Sequence, residues 1–486
     1  MAGISGLGSG IDIDSIVTAM VNAERAPKTN QLDRLESQTV TKISAIGTLT
    51  GALNTFKSAL DSLNKTSLFE ARTASSSNSS VVKVTADSKA PAGSYNVQVQ
   101  QLASSSKVAL QSITDAANAK FSTGQLEISA GDTSISVNVT ETNNTLSGMR
   151  DAINEAGKDK GISATIITDD SGSRLVLNST HTGDGADVNV DVTEDGISSG
   201  TVSLLTQQFS PQVDPDDPGA FIKPDSGSGA GGVISVARSA KLSIDGLQLE
   251  RKSNTITDAL EGVTLNLASV QSAADIADGK TVAVTVGTDK GSVKTNLQKF
   301  VDAYNSLMTT AGSLTAVAEV QGSTTPAVGP LVGDSTVRNL LAGLRSELVE
   351  MTSGTGIKAL ADLGVTTGKD GTLSIDDAKL TKSLDSNYEQ VGGYLTGEKG
   401  LMGRLSSSVA NYLGDDGVLR KRTDALHETK NNVDKQREAL KLRIESLQTR
   451  LYAQYNAMDS LVGQLSRTSE SLASMLANLP GFTKKD

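Results

Sequence analysis

The sequence predicts a multidomain α+β protein: a helical coiled-coil leg built from both chain ends, with β-rich head domains nested between them. Three observations point there. The C-terminal stretch repeats apolar residues every seven positions, with Leu419, Leu426, Val433, Leu440, Leu447 and Leu461 in one set. Ile444, Leu451, Met458, Leu465, Leu472 and Leu479 form its second set. The N-terminal stretch carries the same spacing, with Leu32, Ile46, Leu53 and Leu60 in one set and Leu35, Leu49, Phe56 and Leu63 in the other. Such a seam lets one helix lie along another and bury apolar side chains continuously. Between the two stretches the period changes to two, with glycine-rich turns, which is the mark of strands.

In chain order, Gly3, Gly6, Gly8 and Gly10 make a leader expected to be disordered alone and to order on docking. Asp12 and Asp14 favour a helix start. Ile13, Ile16, Val17, Met20 and Val21 give an apolar stripe expected to end near Pro27, from which a second helical stretch runs to about Leu63. Thr73–Ser80 is serine-rich and reads as a linker. Val82 and Val84, then Tyr95, Val97 and Val99, alternate around Pro91-Ala92-Gly93 and predict a hairpin. Leu126, Ile128, Ile135, Val137 and Val139 repeat the pattern around Gly131-Asp132. A short helix over Leu146–Ala156 and strands at Ile162–Thr168 and Arg174–Asn178 complete a small α+β module. Residues 211–232, with four prolines and a Gly/Ser cluster, read as a long loop or hinge.

Strands return at Leu242–Ile244, Leu247–Leu249, Val263–Leu267 and Val282–Val286, and are expected to pair with those near residues 82–100. Helical patterning resumes at Val293–Leu314, Val337–Met351 and Asp376–Leu384. A long terminal helix begins near Asp415, with a break expected at Gly463 or Ser469–Ser471. This organisation predicts four parts. Residues 1–45 and 450–486 form a terminal helical leg, disordered in isolation, and 46–77 with 288–449 a helical coiled-coil domain. Residues 78–112 with 234–287 form a β-rich head domain, and 113–233 an inserted acidic α+β head domain.

At 486 residues the chain is too long for one core. An apolar fraction of 37%, only 3% aromatic and no Trp, suits long helices and small β-modules better than one tightly packed globule. The net charge of −11 is concentrated between Ile113 and Val233, which hold six Lys/Arg against eighteen Asp/Glu. Such a surface repels phosphate backbones, so nucleic acid is excluded as a partner. The absence of cysteine removes disulfides, thiolate zinc sites and Cys nucleophiles. The first fourteen residues have neither a basic region nor a continuous apolar run, so no cleaved signal peptide is expected. No apolar stretch is long enough for a membrane span.

Candidates for bond chemistry are weak. His181 and His427 lie in different elements, and neither has metal-ligand spacing to other donors. Gly196-Ile197-Ser198-Ser199-Gly200 matches a hydrolase elbow but sits in a glycine turn with no strand leading into a helix. Lys280-Thr281 lacks the upstream glycine of a phosphate loop. Asp214, Asp216 and Asp217 meet Pro218 where calcium needs a ligand, and Asp184, Asp187 and Asp191 are loosely spaced; both sets read as solvated acidic loops. No catalytic residue, metal or cofactor is expected. The heptad residues are the candidate contacts, namely Leu32, Leu35, Ile46, Leu49, Leu53, Phe56 and Leu60, with Leu426, Val433, Leu440, Leu447, Leu451, Met458, Leu461 and Leu465. Pattern alone leaves open whether they form an intramolecular core or an intermolecular seam. Thr39, Gln454 and Thr468 fall at seam positions, where polar residues weaken packing but fix register.

Gly6–Ile16 (GLGSGIDIDSI) followed by Ala23-Glu24-Arg25-Ala26-Pro27 closely resembles the opening of bacterial flagellar filament cap proteins, the flagellar hook-associated protein 2 family. Ser243–Gly246 with Ser253–Leu265, Phe300–Leu307, Asp370–Leu380 and Gln454–Gln464 resemble later blocks of that family. No match is seen in the acidic insert. The resemblance implies terminal helices that meet the filament and β-domains that form a distal plate. It implies a homo-oligomeric ring of about five or six copies that holds exported flagellin at the tip until it folds and joins the lattice. It further implies contact with hook-filament junction proteins, unfolded export through the flagellar type III machinery, an export chaperone, and an extracellular location at the flagellum tip. The same stalk and head would also suit a surface adhesin or structural filament subunit whose acidic head binds host or surface ligands.

Overall fold

The computed structural model describes residues 10, 12–196, 201–319, 326–351 and 356–477. The leader before Gly10, Ile197–Gly200 with the candidate Ser198, and Leu479 lie outside the described residues. The fold is α+β, 47% helical and 26% strand. It divides into two compact units, Met1–Phe69 with Lys290–Asp486 and Glu70–Asp289.

The first unit is helical. Its N-terminal helix spans Ile13–Leu63, with the Asp12 carboxylate accepting the Ser15 N–H at 3.0 Å. It does not end at Pro27. That ring removes one helical hydrogen bond, but Ile13, Val17 and Val21 before it and Leu32 after it are buried, and their packing outweighs the defect. The helices Lys290–Thr315, Ser335–Val349, Asp377–Ser386, Tyr388–Leu395 and Leu401–Leu413 build a core with the second half of the N-terminal helix. Phe56 is its centre, its ring 5.7 Å from Phe300 and 5.8 Å from Tyr304. Asn305 donates to the Leu373 carbonyl (2.8 Å) and accepts its N–H (2.7 Å), which pins the hairpin Val365–Thr367/Leu373–Ile375 to helix Lys290–Thr315. Two of the family-like blocks, Phe300–Leu307 and Asp370–Leu380, therefore meet through one side chain.

The C-terminal helix runs unbroken over Val418–Ala477, roughly 90 Å at ~1.5 Å per residue. Gly463 does not interrupt it, because one glycine costs only about 1 kcal/mol in a helix of this length. Near its start Arg422 forms a two-pronged ion pair with Asp334, 2.7 and 2.5 Å. The same Asp334 caps helix Ser335–Val349 through the Thr336 and Val337 N–H groups. Arg422 chiefly, with those N–H groups, holds the Asp334 carboxyl below its usual pKa. Asp334→Ala should therefore destabilise this unit by about 2 kcal/mol, cap and ion pair together. Because the folded pKa is depressed, the wild-type contribution is present above about pH 4 and fades as pH falls through the folded pKa. The difference between wild type and variant in urea melts should shrink in the same direction.

The second unit holds two β-cores. In the inner one a five-stranded antiparallel sheet runs in the order Arg72–Ser76, Val282–Thr288, Gly93–Gln101, Ala240–Ile244 and Leu247–Arg251. It shares a core with the three strands Thr255–Leu260, Val263–Leu267 and Val82–Ala86. Two expectations fail here. Arg72–Ser76 is a strand paired with Val282–Thr288, where a serine-rich linker was expected. Its residues alternate in burial, and period outweighs composition. Val82–Ala86 and Gly93–Gln101 are not a hairpin; they pair in different sheets, across a turn where the Ala90 N–H reaches the Asp87 carbonyl. The turn Asp245-Gly246 has both residues at positive φ, 48° and 84°, as a two-residue hairpin of this hand requires.

The outer core packs the sheet Gly232–Ser235, Ser105–Ala109, Gly172–Thr182, Ile162–Asp169 with the sheet Thr133–Val139, Thr123–Ala130, Val188–Gly196 and with helix Leu146–Gly157. Val108 and Leu110 belong to this core, so its strands begin before the expected boundary at 113. Asn154 bonds both the N–H and the carbonyl of Ala164, closing the outer edge of strand Ile162–Asp169. The proline-rich segment 211–232 is held from below by Arg174. Its buried guanidinium donates to the carbonyls of Asp225 and Ala230 and pairs with Asp169 at 2.7 Å.

Candidate assembly interface

The N-terminal and C-terminal helices lie antiparallel. Arg437 pairs with Asp33 and Glu36, both at 2.6 Å, and Arg443 with Glu24 at 2.7 Å. Further along, the Tyr455 hydroxyl meets the Met20 sulfur at 3.3 Å. A hydrogen bond to the Asp14 carboxylate raises the Tyr452 phenol above its usual pKa. Position numbers fall on one helix as they rise on the other. These exposed pairs set register and contribute only about 0.2–1 kcal/mol each. The apolar seam supplies the larger share, at about 1.5–3 kcal/mol per fully buried aliphatic side chain.

The structure divides the heptad residues among four places. Ile46, Leu49, Leu53, Phe56 and Leu60 are buried in the helical core against helix Lys290–Thr315, and Leu426 packs on its edge. Leu32 and Val433 are buried where the two terminal helices run together, while Leu35 is exposed. Leu451 joins Ile13, Val17, Val21 and Ile444 in a small cluster, with Leu440 and Leu447 packed against it. Met458, Leu461 and Leu465 are 42%, 57% and 61% exposed, and Leu472, Met475 and Leu476 are exposed beyond them. The two ends thus pair over part of their length only. Thr39 is buried and satisfied by its own helix, donating to the Leu35 carbonyl at 2.7 Å.

Sequence reading missed the partners that fix this arrangement. Helices Tyr388–Leu395 and Leu401–Leu413 carry the stripes Val391, Tyr394, Leu395 and Leu401, Leu405, Val409, whose helical spacing was available. The charge pairs across the helices were not legible, because register between distant segments is not written in either one.

Other candidate groups fall elsewhere. His181 bonds the Lys160 carbonyl at 2.8 Å, and His427 is exposed on the C-terminal helix. Asp214 and Asp217 cap their own turn through the N–H groups of Asp216 and Gly219. Asp184 and Asp191 are exposed, as expected of solvated acids, but Asp184 and Asp187 also accept the Ser239 and Ala237 N–H groups, and Asp191 lies in strand Val188–Gly196. Among the described residues, no group of three His, Asp or Glu could hold a metal, and no helix is long and apolar enough to cross a membrane.

The B-type flagellar hook-associated protein 2 of Pseudomonas aeruginosa is 44% identical over 488 residues, covering 100% of both chains. The chain belongs to the flagellar hook-associated protein 2 family. The flagellar hook-associated protein 2 of Escherichia coli K12 is 32% identical over 98% of this chain and 99% of its own. The family patterns for the flagellar hook-associated protein 2 N-terminus and C-terminus match residues 9–106 and 237–467. A flagellin hook IN motif matches 125–181, which corrects the expectation that nothing in the acidic insert would match. The motif covers helix Leu146–Gly157 and four strands of the outer core. Among solved structures, the D1-D2-D3 domains of the flagellar cap protein FliD from Escherichia coli are 30% identical with a TM-score of 0.59, covering 79% of this chain and 99% of theirs. Membership of the flagellar hook-associated protein 2 family gives the chain a flagellar filament cap role, and the adhesin alternative is not favoured.

Proposed function

We propose that the chain works as a homo-oligomeric ring of about five or six copies at the distal end of the filament. The ring retains exported flagellin, lets it fold beneath the head domains and releases it into the lattice. It acts by binding, not by catalysis. In this reading residues 1–45 and 450–486 are the leg that meets the filament, and the heptad residues left exposed are its contacts. The chain reaches the tip unfolded through the flagellar type III machinery with an export chaperone, needs no cleaved signal peptide, and meets hook-filament junction proteins.

The observation that carries this reading is the bare end of the C-terminal helix. Met458, Leu461, Leu465, Leu472 and Met475 continue a seam whose earlier members are buried or half-buried, and they are exposed in the single chain. A stripe of this kind is suited to partner helices. Copy number tests it. Quantitative labelling should find one small ring per filament, confined to the tip. Labelling along the whole filament would overturn the reading in favour of a structural subunit.

A further inference from the structure

The outer β-core is joined to the inner one by only two chain crossings, near residues 103–105 and 236–240. The crossings share one backbone bridge, Ser104 with Arg238, whose N–H groups each reach the other's carbonyl at 3.0 and 3.1 Å, flanked by the Ser104 hydroxyl on the Val236 carbonyl (2.7 Å) and the Ser235 hydroxyl on the Ser105 carbonyl (2.9 Å). Two single strands with so short a pairing make a natural bending point. The structure adds a grip from a third segment, the turn at residues 182–188 that closes the outer core between strands Gly172–Thr182 and Val188–Gly196.

That turn holds the second crossing at alternate residues. Asp187 Oδ1 accepts the Ala237 N–H at 2.9 Å, and Asp184 Oδ1 accepts the Ser239 N–H at 3.0 Å. The Asp184 N–H donates back to Ser239 Oγ at 3.0 Å, and the Gly183 N–H donates to the Arg238 carbonyl at 3.1 Å. Thr182 reaches into the inner core itself, donating its hydroxyl to the Lys252 carbonyl. Gly183 is needed there. Its φ is +105°, and a Cβ on it would stand 2.6 Å from the Lys252 side chain. Ala237 and Ser239 are buried while Asp184 is exposed, so the strand N–H groups are shielded on their own side and depend on the turn for their acceptors.

We infer that Asp184 and Asp187 are positioning residues that latch the two β-cores into one stiff body. A carboxylate suits the task because, as a charged acceptor, it holds the one strand N–H it faces more strongly than a neutral acceptor does. For the cap, the latch fixes the direction in which the acidic outer core stands from the inner one. That consequence rests on the function proposed above, whereas the latch itself does not.

The test uses the full chain. Because it has no cysteine, Glu155→Cys on the outer core and Glu261→Cys on the inner core give a clean pair of spin labels at exposed positions. With Asp184 and Asp187 intact, the distance distribution should be narrow. In Asp184→Ala/Asp187→Ala it should broaden at least about twofold, and the Ala237 and Ser239 amides should exchange about tenfold faster, as expected for losing bonds worth about 1.4 kcal/mol. Asp184→Asn/Asp187→Asn keeps an acceptor oxygen at each place and should restore most of the narrowness. An unchanged width and exchange rate in the alanine pair would overturn the latch. If the alanine pair does not fold, Ser239→Ala removes only the acceptor of the Asp184 N–H and should give a smaller broadening; no broadening there would count against the latch equally. Filament growth is scored separately, so a failed cap function leaves a broadened distribution standing.

Discussion

A chain carrying Leu461→Glu, Leu465→Glu and Leu472→Glu is expected to fold as the parent does and to fail at the filament end. All three side chains are exposed on the C-terminal helix of the isolated chain, so no described contact is lost. Glutamate is a good helix former, and the change in unfolding free energy should stay within about 0.5 kcal/mol. If the same residues are buried against partner helices in the assembled cap, the loss is large. Taking about half of the value for full burial, three leucines amount to about 3–4 kcal/mol, a weakening on the order of several hundredfold. Buried charge would add to it. Swarming, filament counts and thermal melts of the purified variant check both halves. Normal capping by this variant would remove the exposed stripe from the account.

Phe56→Ala should give the largest loss of stability. The side chain is fully buried and touches the rings of both Phe300 and Tyr304 in the middle of the helical core. Truncation should cost about 3–5 kcal/mol, a large part of what holds a typical domain together. The loss should be confined to the helical unit, since the two β-cores contain no residue of it. In a thermal scan the helical signal should melt at least about 10 °C earlier while the β-signal keeps its midpoint. Phe56→Leu, which keeps most of the volume, should cost about 1–2 kcal/mol. A shift below about 1 kcal/mol for the alanine variant would mean that this aromatic cluster is not the centre of the core.

Much of this was legible in the sequence, and the failures have physical reasons. Heptad spacing located both terminal helices, and alternation located most strands of the inner and outer cores. The hairpin at Gly131-Asp132 followed from local turn chemistry, and the strands on either side of Asp245-Gly246 from alternation. Most of the failures are long-range, although the stripes of helices Tyr388–Leu395 and Leu401–Leu413 and the alternation at Arg72–Ser76 were local signals passed over. The terminal repeats look matched along their length, yet Ile46–Leu60 pack on helix Lys290–Thr315 because a seven-residue period specifies a stripe and not its partner. Burial of Ile13, Val17, Val21 and Leu32 carries the helix through Pro27, and at Gly463 a single glycine costs too little to break so long a helix. Asp184 and Asp187 read as loop acids because their acceptors' partners, Ala237 and Ser239, lie some fifty residues away. For the candidate interface, sequence supplied the residues and the structure supplied which of them remain uncovered.

The most direct measurement is the fate of flagellin in cells from which this gene has been deleted. Bare hooks and unpolymerised flagellin in the medium are expected, with filaments restored when the purified protein is added. Filaments of normal number and length without the protein would contradict it.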